Sequence, residues 1–143
     1  MRRFTTYVIA VLIAGSTAFA AQKAQTPEDL DKAMKRVSPA NAALNKAIRS
    51  MAWDDAKKQI EIVEEALSDA HNFWVVKKKD DAMKMSKETL AKADALEAAI
   101  KKSPIDSAAV AVAQKEFATS CLGCHKQYRE QDANQQFVLK AGI

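Results

Sequence analysis

Three glycines in 143 residues leave this chain little means of making the tight turns that join strands. Gly15 lies in an apolar leader and Gly142 at the far end, so only Gly123 falls within the body of the protein. Two-residue hairpin loops need glycine or an Asn-Gly pair to adopt left-handed backbone angles, and no such pair is present. Alanine, lysine, glutamate and leucine dominate instead, residues that lose little freedom in a helix. The expectation is an all-α fold.

Apolar spacing divides the chain into four helical segments. Thr26, Pro27, Glu28 and Asp29 make a helix start, with a hydroxyl cap, proline in the first turn and acids at the positive end of the dipole. From there Leu30, Met34, Val37, Leu44, Ile48 and Met51 form one stripe, interrupted by Pro39, which predicts a bend near Val37 to Ala40. The second segment alternates steps of three and four through Trp53, Ala56, Ile60, Val63, Leu67, Ala70 and Trp74. A third, from about Asp80 to Lys102, uses Met83, Leu90, Ala93, Leu96 and Ile100. The fourth follows Pro104 and uses Val110, Ala113, Phe117, Cys121, Cys124 and Tyr128. The links near Ala52, Val76 to Lys79 and Ser103 to Asp106 are short, so neighbouring helices should run antiparallel in an up-down-up-down four-helix bundle.

The fourth segment carries the chemistry. Cys121, Leu122, Gly123, Cys124 and His125 form a C-x-x-C-H pentapeptide, the attachment signature of a c-type haem. On a helix the two thiols and the imidazole share one face, so the sulfurs can add to the haem vinyl groups while His125 supplies a nitrogen to the iron. Gly123 would let the backbone approach the porphyrin. These are the only two cysteines, which excludes a four-thiolate zinc or iron–sulfur site within one subunit. A thioredoxin-type disulfide expects alternating strands and helices, which the pattern lacks.

Residues 1–20 read as a secretory signal peptide, with Arg2 and Arg3 in front, an apolar stretch from Tyr7 to Ala14 and an Ala18-Phe19-Ala20 cleavage site. The alternative is an uncleaved tether, although the apolar stretch is short for a membrane anchor. Residues 21–143 would then be one haem-binding bundle domain with no membrane span. Loss of Arg2 and Arg3 lowers the formal charge from +4 to +2, so the basic balance argues for neither nucleic acid nor anionic membrane as partner.

A signal peptide, four amphipathic segments and the run from Cys121 to Arg129 together resemble the class II c-type cytochromes, the cytochrome c′ family with its low-spin, methionine-ligated relatives. The late position of the motif separates this family from mitochondrial-type cytochromes c, which carry it near the N-terminus of a different fold. The resemblance implies a periplasmic protein with one covalent haem c, exchanging electrons with redox partner proteins and catalysing no reaction. It allows a homodimer, since family members often pair through their first two helices.

The family covers the sixth iron position with a side chain from the first helix, in a stretch that here reads Ala33-Met34-Lys35-Arg36-Val37. Met34 matches that position and is the expected distal ligand, giving low-spin iron suited to electron transfer. The other reading leaves Met34 as core filling and the iron five-coordinate, open to nitric oxide or carbon monoxide. Met51, Met83 and Met85 are weaker candidates. His71 borders the second stripe and reads as a partly exposed histidine rather than a ligand. Trp53 and Trp74 read as core anchors. The family habit of a basic residue after the motif implies that Arg129 covers the proximal pocket or acts on the imidazole, whereas the plain reading is a solvated cation complementing the helix dipole. Lys77, Lys78, Lys79, Asp80 and Asp81 form a charged turn whose distance from the motif the sequence leaves open. From about Asn134 to Ile143 no periodic pattern is visible, and the sequence assigns this tail no role.

Overall fold

The protein is described by a computed structural model over residues 26–143; the leader, and with it the expected signal peptide, lies outside the described residues. Four helices, α1 (Pro27–Arg49), α2 (Trp53–Lys77), α3 (Asp80–Lys101) and α4 (Ser107–Tyr128), pack as a four-helix bundle. A small hairpin follows, β1 (Arg129–Gln131) with β2 (Phe137–Leu139). Among the described residues no helix is long and apolar enough to cross a membrane.

Helix α1 starts as the sequence predicts, with Thr26 and Asp29 bonding each other's backbone N–H groups in a capping box. Pro39 does not break it, and α1 is one continuous helix. The proline removes a bond to the Lys35 carbonyl, and Lys35, Ser38 and Pro39 are all exposed, so water can serve that oxygen. Glycine is also dispensable at the helix ends. Met51 (φ 55°) and Lys78 (φ 53°) take left-handed angles, each followed by a residue whose N–H returns to the last turn, Ala52 to Ala47 and Lys79 to Trp74.

Side-chain bridges fix the antiparallel register. Arg36 of α1 pairs with Glu65 and Asp69 of α2, Lys101 of α3 reaches Glu61 of α2, and Lys92 of α3 pairs with Glu116 of α4. Each helix thus packs against its neighbour in sequence. By contrast, the backbones of α1 and α4 scarcely approach one another.

The interior falls into two clusters. The larger contains Leu44, Ile60, Val63, Leu96, Ile100, Val110 and Phe117, all fully enclosed or nearly so. The smaller gathers Leu30, Ala70, Phe73, Trp74, Ala82 and Tyr128 around the C-terminal end of α4. Trp74 meets Phe73 edge-on with ring centroids 4.8 Å apart, and Tyr128 at 4.6 Å.

The hairpin corrects the expectation that no hairpin turn is available, and it gives regular structure to part of the tail. Asp132 replaces glycine chemistry, its Oδ1 accepting the N–H groups of Asn134 and Gln136 at 2.8 Å each. Gln135 supplies the left-handed residue at φ 61°.

Candidate functional site

The Cys121–His125 segment occupies the last two turns of α4, beside the boundary between the two core clusters. Cys121 packs against the larger cluster and Cys124 against the smaller, while Met34 of α1 touches both. Cys121, Cys124, His125 and Met34 are all half-buried. The thiols are free, and Cys121 Sγ lies 3.7 Å from the Phe117 carbonyl oxygen. Burial pushes the Cys121 thiol up and that of Cys124 up to about 11, the latter aided by Cys121 and Asp81. Both are therefore thiols, not thiolates, at neutral pH, unlike the activated cysteines of redox catalysts. Burial and then the Arg129 charge lower the His125 pKa, which leaves a neutral imidazole with a lone pair to give.

The seam between α1 and α4 is tied at one end by Gln114 Nε2, which donates to Asn45 Oδ1 at 2.6 Å. Met34 lies eleven residues before Asn45, and His125 eleven residues after Gln114. In antiparallel helices rising about 1.5 Å per residue, this register puts Met34 and His125 at the same level of the bundle, on opposite sides of the seam.

Helix α3 holds the motif from its other side. Thr89, a buried hydroxyl, donates to Met85 O at 3.0 Å and lies 3.4 Å from Ser120 O, in the residue before Cys121. Gly123 faces α3: a Cβ there would lie 3.4 Å from Met85 Sδ. Its bare backbone thus accommodates a thioether, a contact the porphyrin reading of this glycine does not include. Met83 and Met85 pack around the same small cluster as Cys124, nearer the motif than their place on the third segment suggested. Met51, at 64 % exposure on the bundle's far end, stands apart.

His71 serves a different contact. Ser86 Oγ gives its proton to backbone carbonyls at Ala82 and Met83, so the 2.8 Å contact from His71 Nδ1 is a donation from the ring that ties α2 to α3. Arg129 ends α4, its N–H donating to His125 O, and its guanidinium stands 3.9 Å over the Phe137 ring. Tyr128 donates to Asp81 Oδ1 at 2.6 Å, and Gln127 also reaches Asp81. The Tyr128 bond lowers the Asp81 pKa, while burial and Asp81 push Tyr128 up to about 12. These contacts place the Lys77–Asp81 turn at the motif end of the bundle.

Away from the motif, the α2–α3 face holds an orphaned carboxyl. Lys101 is shared by Glu97 (2.6 Å) and Glu61 (3.4 Å), and Glu64 Oε1 is enclosed with no hydrogen-bond partner among the described residues. Burial first, then Glu97 and Asp94, push the Glu64 pKa from 4.5 up to about 7.

Among the described residues no group of three or more His, Cys, Asp and Glu side chains forms a metal cage. No family profile, curated protein or solved structure matches the chain.

Proposed function

We propose that this chain is an exported, periplasmic electron carrier that holds one haem c by thioether links from Cys121 and Cys124, with His125 as proximal and Met34 as distal iron ligand. The observation that carries this reading is the seam between α1 and α4. It is the face between successive helices where the backbones approach least, the attachment motif borders it, and Met34 and His125 lie level across it. The donor set suits the group: two protonated thiols, a neutral imidazole and a soft sulfur, set in apolar surroundings.

When bound, the haem iron supplies one-electron exchange, with a potential raised by a methionine ligand. The protein's own part is to fix and shield. Cys121 and Cys124 anchor the group at the junction of the two clusters. The cluster around Leu30, Trp74 and Tyr128 keeps water from the Cys124 side of the motif. Arg129, held on Phe137, places a positive charge beside the His125 imidazole and opposes accumulation of further positive charge there. Electrons would pass to redox partner proteins without bond chemistry on a substrate.

The test is the intact mass and absorption spectrum of the exported protein. One added haem mass, a low-spin spectrum and slow carbon monoxide binding are expected, and Met34→Ala should convert low spin to high spin. A high-spin wild type with fast carbon monoxide uptake would transfer the protein to the five-coordinate, gas-binding class. Unmodified mass with both thiols alkylatable would reject the haem altogether.

A further inference from the structure

We infer that the C-terminal hairpin is a strap that ties α1 to α4 across their loosely met seam and holds the Met34 turn in place, with Leu139 as its anchor. Strand β1 continues directly from α4, and β2 lies against α1, so the two strands span the two helices that otherwise scarcely meet. Leu139 and Ile143 pack onto the small cluster that contains Leu30 of α1 and Tyr128 of α4. Leu30 is one helical turn before Met34, on the same face, and Met34 packs on that same cluster.

The strap is fastened to α4 at two further points, while Arg129 on Phe137 ties its own two strands together. Lys140 N–H donates to Tyr128 O at 2.9 Å, and Lys140 Nζ donates to Lys126 O at 3.2 Å. Both bonds satisfy carbonyls in the last turn of α4, which lack partners within the helix. With Asn45–Gln114 at the opposite end, the seam is tied at both ends. Leu139 is therefore a positioning residue: it touches no expected ligand atom and acts by holding α1. Its importance to the iron rests on the proposed function, whereas the tie between the helices does not.

The experiment is amide hydrogen exchange on the full exported protein and its Leu139→Ala and Leu139→Met variants, with absorption spectra taken on the same samples. The alanine variant should exchange the amides of residues 30–35 at least ten-fold faster, leave those of residues 60–67 unchanged, and show a larger high-spin fraction; methionine should restore both. Unchanged exchange in α1, or an equal acceleration in all four helices, overturns the strap. A sample without haem that still shows local acceleration in α1 upholds the strap as a tie and rejects the electron-carrier reading.

Discussion

Replacing Glu64 by glutamine should stabilise the protein at alkaline pH and leave it unchanged in acid. In the folded chain the carboxyl is pushed from 4.5 up to about 7, by burial and by the Glu97 and Asp94 charges, while Lys101 is engaged elsewhere. A carboxyl with a raised pKa holds its proton more tightly folded than unfolded. Its drag on stability is therefore absent below about pH 4.5, grows between there and pH 7, and is complete above. Each pKa unit corresponds to about 1.4 kcal/mol, so the shift sets a ceiling of about 3.4 kcal/mol. Glu64 is only partly enclosed, and solvent screening reduces this to about 1–2 kcal/mol. For a domain of this size that is roughly a 4–8 °C rise in melting temperature. The assay is thermal unfolding of wild type and Glu64→Gln, followed by circular dichroism at pH 4.5 and pH 8.5. An equal difference at both pH values, or none at pH 8.5, would refute the reasoning.

Four further outcomes are expected. Met51→Gly, at a left-handed and exposed helix end, should raise stability by about 0.5–1 kcal/mol by removing backbone strain, read as a higher denaturant midpoint at constant slope. Phe117→Ala empties one of the largest enclosed positions and should cost about 3–5 kcal/mol, measured by urea unfolding. Tyr128 is the sole tyrosine among the described residues, so its phenolate absorbance near 295 nm should appear only as the pH approaches 12, and Asp81→Ala should bring that transition earlier. Because the folded phenol ionises later than the unfolded one, stability should fall as pH rises from 10 towards 12. Thr89→Val, which keeps the volume and removes the hydroxyl near Ser120, should cost about 1 kcal/mol by thermal unfolding.

The four helices were legible because their signals are local. The 3–4 alternation from Trp53 to Trp74 and the box at Thr26 each specify structure within a few residues, and both appear where the spacing puts them. Pro39 costs one backbone bond, and α1 continues through it because the Lys35 carbonyl lies where water can reach it. The hairpin was invisible because an aspartate side chain, not a glycine, organises its turn, and its strands are three residues each, too short for an alternating pattern. At the site, the shared face of Cys121, Cys124 and His125 follows from helical spacing alone. The contact of Met85 with Gly123, the Thr89 hydroxyl near Ser120 and the hold of Phe137 on Arg129 depend on register between elements, which no single segment encodes. Glu64 was missed for the same reason: it carries its charge on an ordinary-looking helix, and its isolation arises only once Lys101 is committed to two other acids.

The order in which the helices lean on one another sets how the bundle can come apart and be built. Since α1, α2 and α3 each rest on a sequence neighbour, three-quarters of the barrel can assemble from local contacts alone, with small loop-closure costs and rapid folding. The last helix is hinged to the third and merely latched to the first. A chain emerging amino end first would thus bring out Cys121 and Cys124 on the last rod to dock, after the first three have already found one another.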